Sequence, residues 1–340
     1  MHAAFLQNRY MRVKVGNTLS SKKSVTGGAV QGSVLGVMDH NAVMEVVDDD
    51  FLTDSHKYVD DLTATEVIGR EAGSYNQSGA LTGERDIEFY HASRSEENIK
   101  RISDYCLHHG LKVNEKKTQL LAISSKKNRV KVWIQAGREN INSTDSLKLL
   151  GFVFGEKPDV TLQVENLIAR ASRRMFVLRY YSRFMPGKDL IKLYSAMVRS
   201  VLEYSSVTYH SMLTIKQSND LEQIQKKCLR CIFGYGKGYE ELLEESGLST
   251  LKARREKAVL KFAAKTAKNP VYSHWFLLNP NHTSSRNPKI YTEEFARTSR
   301  LYNSPLFHMR RLLNKTDHDQ MPETNYMDLA HLFDDDDLQI

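Results

Sequence analysis

Two adjacent carboxylates, Asp60 and Asp61, follow Tyr58 and Val59 within a stretch, His56 to Val67, that otherwise favours strand. The pattern predicts two short strands with the acidic residues at the tip of a hairpin. Carboxylate oxygens are the ligands that hard divalent cations select, and Mg²⁺ sites typically join one or two carboxylates to phosphate oxygens. Two such ions roughly 3.5–4 Å apart can clamp the attacking and leaving oxygens of a phosphoryl transfer. An Asp-Asp pair alone is more often a solvated turn, so its weight depends on its neighbours.

Three further segments could serve the same chemistry. Gly27-Gly28-Ala29-Val30-Gln31-Gly32-Ser33 runs on to Gly36. Its glycines permit close backbone approach to a ligand, and Gln31 offers an amide to sugar or base edges. The plainer reading is a flexible loop before a helix. Asn114-Glu115-Lys116-Lys117-Thr118 puts two lysines on a turn between a helix and a strand, where a lysine could offset charge on a leaving pyrophosphate. An ordinary exposed turn would look the same. Lys148-Leu-Leu-Gly-Phe152 is an apolar strand with a glycine where another group can pass close, or a plain edge hairpin.

The elements that must position these residues change character along the chain. Tyr10 to Val15 reads as a strand ending at Gly16, and 17–28 as a loop. Residues 33–47 form a candidate helix, and 70–85 an exposed loop. Ser93 and Glu96 form a capping-box pattern opening a helix over 93–109, with Ile99, Ile102 and Cys106 on one face and Gly110 at its end. Short strands are expected near 111–113, 119–123, 130–134 and 147–154. Beyond Asp159 the period becomes 3.6. Val164, Leu167, Ile168, Ala171, Met175 and Leu178 share one face; Leu190, Leu193 or Tyr194, Met197, Val201 and Tyr204 share a second. A third helix is expected from Asn219, with Leu221, Ile224, Cys228 and Ile232 inward, and a fourth over about 250–268. The fold class that follows is α+β to residue 158, then an all-α bundle over 159–270, then an irregular tail over 271–340 whose last 25 residues are expected to be disordered.

Charge is divided along the same lines. Residues 161–270 hold 20 Lys and Arg against 10 Asp and Glu, whereas 316–340 hold eight acidic residues and no Lys or Arg. A basic middle points to a polyanionic partner, although a solvated helical surface carries such charge as well. The three cysteines, Cys106, Cys228 and Cys231, cannot close a disulfide set, which favours a reducing, intracellular compartment, cytoplasm or nucleus. Cys228 and Cys231 lie in a helical pattern with no second pair, so they read as core packing rather than as a zinc site. No apolar run approaches the roughly 20 residues of a membrane span, so no membrane partner is expected.

Taken in order, the four segments resemble the reverse transcriptases of jockey-like non-LTR retrotransposons. In that family a Gln-Gly-Ser segment precedes a Tyr-x-Asp-Asp hairpin, an Asn-x-x-Lys-Thr turn, a Leu-Gly hairpin and a helical thumb. The matching residues are Gln31-Gly32-Ser33 with Gly36, Tyr58-Val59-Asp60-Asp61, Asn114 to Thr118, and Leu150-Gly151. Similar stretches are Phe5 to Arg9 with Arg12 to Val15 and, beyond the palm, Arg170 to Arg174, Leu193 to Tyr204 and Leu221 to Lys227. The resemblance covers about residues 4–268. Val30 stands where the family has proline, and 37–55 is more polar than is usual.

The resemblance implies RNA-templated DNA synthesis with Mg²⁺, an RNA template, a DNA primer and deoxynucleotides. It implies a partial polymerase palm, an antiparallel sheet with packed helices over 1–158, followed by a thumb-like bundle. Asp60 and Asp61 are the implied metal ligands and Lys117 the catalytic group near the phosphates. Gln31, Gly32, Ser33, Tyr58 and Asn114 are implied in template or nucleotide binding. The family's first metal-binding aspartate lies upstream of the Phe5–Val15 segment, and no Asp or Glu occurs in residues 1–12. The expectation is a fragment that is inactive alone. The alternatives are an active polymerase completed by missing sequence or a partner, and a co-opted nucleic-acid-binding protein.

Overall fold

The computed structural model describes residues 9–25, 47, 51–58, 61–68, 87–137, 139–280 and 289–315. It is α+β and divides into two compact units, 1–147 and 148–340. The division falls within the first strand (Ser146–Leu149) of a hairpin that the sequence groups with the first region.

In the first unit, β1 (Arg9–Met11) pairs antiparallel with β4 (Lys23–Val25), and β2 (Lys14–Val15) with β3 (Thr18–Leu19). Residues 17–25, read from sequence as loop, thus return as strands around Gly16, whose φ of 59° suits the turn. Next comes the hairpin of β5 (Asp54–Tyr58) and β6 (Asp61–Thr65).

Strand β7 (Ile87–His91) leads into helix α1 (Ser93–His108), and β8 (Arg129–Ala136) and β9 (Glu139–Asn142) complete a three-stranded sheet. The expected all-antiparallel sheet is corrected here. β7 and β8 run parallel, because a helix separates them and the chain crosses over before pairing, whereas β8 and β9 are antiparallel. Tyr90, Ala122 and Val132 form the small core of this sheet. The strands expected near 111–113 and 119–123 reduce to one bridge, Leu121 with Thr144.

Helix α1 ends as its sequence predicts. Gly110 has φ 69°, Leu111 N donates to Cys106 O at 2.7 Å and Gly110 N to Leu107 O at 3.2 Å, a Schellman closure. Its start differs. No side chain caps Ala92, and Glu96 turns instead to His91 Nε2 at 2.7 Å and accepts from Gln135 N at 2.6 Å. The carboxylate ties the helix to β7 and β8, so the capping box does not form.

At the division lies the hairpin of β10 (Ser146–Leu149) and β11 (Phe152–Gly155), followed by the 21-residue α2 (Thr161–Tyr181). Gln163 is fully buried and accepts from Val153 N at 3.0 Å, which docks the hairpin on α2. Helix α3 (Gly187–Tyr194) continues through a π turn (Ser195–Arg199) into α4 (Ser200–Glu203). The wider turn rotates the inward face, so Val198 and Leu202 are buried, Met197 only partly, and Tyr204 is exposed. At that turn Met197 O accepts from Arg174 Nη1 at 2.7 Å.

Helices α5 (Ser206–Tyr209), α6 (Ile215–Phe233), α7 (Tyr239–Ser246) and α8 (Leu251–Ala267) complete the bundle. α6 begins four residues earlier than Asn219 because Thr214 and Gln217 form a reciprocal capping box. Leu221, Ile224 and Cys228 face inward, and burial pushes the Cys228 thiol up to about 12. The tail reading is also corrected: α9 (Ser299–Tyr302) and α10 (Pro305–Lys315) are helical. Met309 and Leu313 of α10 pack on Val259 and Ala263 of α8 and on Phe276, a core contributed by distant segments rather than by a long local repeat. The final 25 residues lie outside the described residues. Among the described residues no helix is long and apolar enough to cross a membrane.

Candidate functional site

The β5–β6 register runs from Asp54 opposite Thr65 to Tyr58 opposite Asp61. Asp61 is therefore the first residue of β6 and Tyr58 the last of β5. Both are exposed, Tyr58 at 62%. No described residue hydrogen-bonds or ion-pairs with the Asp61 carboxylate. Asp60 lies outside the described residues.

Both legs of the hairpin are fastened to α1. Asn98, 1% exposed, accepts from Leu52 N at 2.9 Å and donates from Nδ2 to Thr53 Oγ1 at 2.6 Å, just before β5. Beyond β6, Glu66 Oε2 accepts from Ser95 N at 2.9 Å and Ser95 Oγ at 2.7 Å. Glu66 thereby satisfies one of the free N–H groups of the first turn of α1, where a negative charge also meets the positive end of the helix dipole. Tyr58 and Asp61, at the far end of the described hairpin, thus face solvent, and the base of the hairpin is pinned by buried and charge-assisted bonds. Sequence reading missed both clamps. Asn98 breaks the apolar stripe of α1, which was the available signal; Glu66 carried none. A hard cation would fit such a tip, with the exposed Asp61 carboxylate as one ligand and oxygens from elsewhere completing the shell. Among the described residues no group of three or more His, Cys, Asp or Glu side chains gathers as a metal site.

Asn114 and Lys117 meet in a 3₁₀ turn (Glu115–Lys117). Asn114 O accepts from Lys117 N at 3.0 Å and from Thr118 N and Oγ1, both at 3.1 Å. Glu115 of this turn lies beside Gly137 at the end of β8. Lys116 and Lys117 are exposed, and no described hydrogen bond or ion pair joins Lys117 to Asp61. Gln31, Gly32 and Ser33 lie outside the described residues.

The Leu-Gly pair forms the tip of the β10–β11 hairpin. Leu150 has φ 46° and Gly151 φ 84°, so both central residues are left-handed, as in a type I′ turn. The group that passes close is Tyr204. Its hydroxyl donates to Leu150 O, and a Cβ on Gly151 would stand 3.1–3.3 Å from its ring and oxygen.

In the second unit, the buried stripe of α2 is Val164, Leu167, Ala171 and Leu178. Opposite it, Arg173, Phe176 and Tyr180 share the solvent side at helical spacing, with Phe184 just beyond the helix. Phe176 is 72% exposed and Phe184 71%. Tyr180 lies 5.7 Å from Phe184 between ring centroids, and Arg179 and Arg183 are exposed nearby. Aromatic faces with adjacent guanidinium groups are the chemistry that single-stranded nucleic acid takes, by stacking and by phosphate pairing. Of these residues only Arg173, within the Arg170–Arg174 stretch, stood out in the sequence.

No family model matches the chain, and neither a curated protein nor a solved structure matches it.

Proposed function

We propose that the chain carries the Asp-Asp hairpin and the nucleic-acid-gripping helical region of an RNA-directed DNA polymerase of the non-LTR retrotransposon type. The observation that supports this reading is the β5–β6 register, in which Tyr58 pairs with Asp61, together with the fastening of both legs of the hairpin to α1. In this reading Asp60 and Asp61 present oxygens to Mg²⁺ shared with substrate phosphates, and Lys117 offsets phosphate charge. RNA template, DNA primer and deoxynucleotides are the partners. A two-metal centre needs a further carboxylate, and the reading expects it to come from outside the described residues. In this reading the chain is expected to bind primer-template without extending it.

A second reading is a nucleic-acid-binding protein without polymerase activity. The arginine-aromatic side of α2 favours it, because that surface requires no metal. Primer extension on an RNA template, with Mg²⁺ or Mn²⁺, separates the possibilities. The expected result is binding of the primer-template and no extension. Extension that disappears in an Asp60→Ala, Asp61→Ala variant would establish an active polymerase instead. Failure to bind any nucleic acid would remove both readings.

A further inference from the structure

The arginine-aromatic side of α2 carries no acid of its own. Residues 170–188 hold six Lys and Arg and no Asp or Glu. Arg173, Arg179 and Arg183 are exposed, and no described hydrogen bond or ion pair engages their guanidinium groups. Other basic side chains of the bundle meet acids: Arg254 pairs with Glu203, Lys237 with Glu245 and Lys192 with Asp189. Phe176, Tyr180 and Phe184 stand exposed among the three arginines. Large rings gathered on a surface mark a place where something docks.

Residues 316–340 carry the complementary chemistry. Directly after α10 come eight Asp and Glu with no Lys or Arg, four of them consecutive at 334–337. Apolar side chains are set among these acids, with Tyr326, Leu329, Leu332 and Phe333 ahead of the four aspartates. A merely solvated acidic run needs no such side chains. Carboxylates pair with guanidinium groups, and rings stack on rings and on guanidinium planes. Charge at short intervals beside flat apolar groups is also what a single nucleic-acid strand offers such a face.

The two partners belong to one compact unit. α10 packs on α8, α8 on α6 and α6 on α2. At roughly 8–10 Å per helix pair, α2 lies about 30 Å from α10. The length of α2 adds roughly 30 Å at most. The segment 316–333 reaches roughly 60 Å when extended, enough to bring Phe333 and the aspartates to the far end of α2.

We propose that residues 316–340, through Phe333 and the aspartates at 334–337, dock on the 173–184 side of α2 and compete there with nucleic acid. The competition rests on the reading of that side as a nucleic-acid surface. A tethered segment acts at an effective concentration on the order of 1 mM, so a Kd of about 0.1 mM for the free segment would weaken nucleic-acid binding about tenfold.

Two measurements on the full chain test this. The first is fluorescence anisotropy with a labelled oligo-dT strand. A variant carrying Asp334→Asn, Asp335→Asn, Asp336→Asn and Asp337→Asn should bind about tenfold more tightly than wild type at low salt, and the gain should shrink as KCl rises. Phe333→Ala keeps every charge and should still bind at least about twofold more tightly, because a stacking contact of the docked segment is lost. Repulsion by an undocked tail would leave Phe333→Ala at the wild-type affinity, and that result overturns the proposal.

The second measurement titrates a labelled peptide of residues 316–340 with the four-asparagine variant. Saturable binding is expected, and it should be lost when Phe176→Ala, Tyr180→Ala and Arg183→Ala are added. No binding, or binding indifferent to those substitutions, overturns the docking. This arm needs no nucleic acid. A chain that takes the peptide but no strand refutes the nucleic-acid reading and the competition with it, while the docking stands. A chain that takes the strand but ignores the peptide refutes the docking alone. Wild type that dimerises on gel filtration while the four-asparagine variant stays monomeric would seat a second copy's segment on α2 and overturn docking within one chain.

Discussion

Substituting alanine for Gly151 should destabilise the second unit by about 2–3 kcal/mol. A non-glycine residue held in the left-handed region costs roughly 1–2 kcal/mol, and Gly151 sits at φ 84°. The added methyl would also press on Tyr204 at 3.1–3.3 Å. That ring cannot swing aside freely, because its hydroxyl donates to Leu150 O; giving up such a bond costs about 0.5–1.5 kcal/mol. Urea unfolding followed by circular dichroism measures the loss. The crowding part is isolated by a double-mutant cycle with Tyr204→Phe, which frees the ring. The two substitutions should then be non-additive by at least about 0.5 kcal/mol. A cost below about 0.5 kcal/mol for Gly151→Ala, or strict additivity with Tyr204→Phe, would refute the reasoning.

Other expectations follow from the same contacts. Leu150→Asn should stabilise the hairpin by roughly 0.5–1 kcal/mol, since asparagine tolerates the left-handed region that leucine occupies at φ 46°; a lower melting temperature would contradict it. Asn98→Ala should cost about 1–3 kcal/mol by leaving Leu52 N unmet beside a buried site, and should speed amide exchange in β5 and β6. Unchanged exchange there would show that the clamp is irrelevant. Burial, with nearby positive charges, holds His210 down to about 4 and lowers His308. Both folded-state values lie below the unfolded value near 6.5, so the unfolded chain binds more protons in the interval between them. The stabilisation is complete above about pH 6.5 and is lost as pH falls toward 4. The melting temperature of wild type should drop between pH 6.5 and 5, less so in a His210→Phe variant, and a flat profile would count against this.

The hairpin bearing Asp61 was legible because strand-forming residues flank a turn, and Gly110 marked a helix end because only a left-handed residue closes that Schellman pattern. Where side chains acted at long range, local reading failed. Glu96 fits a capping box, but His91 and Gln135 claim it. The 3.6 period was right for α2 and slipped after Tyr194, where one wider turn displaces Met197 in favour of Val198. Residues 299–315 looked irregular because α10 buries its stripe against α8 from nearly fifty positions away. The direction of β7 against β8 depends on a crossover that no short window contains. The sequence equally held Phe176 and Tyr180 in plain view, but aromatic residues at helical spacing ordinarily mean core, and only the position of the buried stripe puts them outside.

The central claim is that this chain grips nucleic acid, and fluorescence anisotropy with an RNA–DNA primer-template over a KCl series tests it most directly. Affinity should fall linearly in log–log form as salt rises, with a slope near −0.9 per phosphate neutralised on the B-DNA scale. Phe176→Ala with Tyr180→Ala should weaken binding by about 1–3 kcal/mol per stacked base while leaving that slope nearly unchanged. Arg173→Ala should instead flatten the slope by about one unit. Absent binding, or binding indifferent to salt and to all three substitutions, would contradict the account.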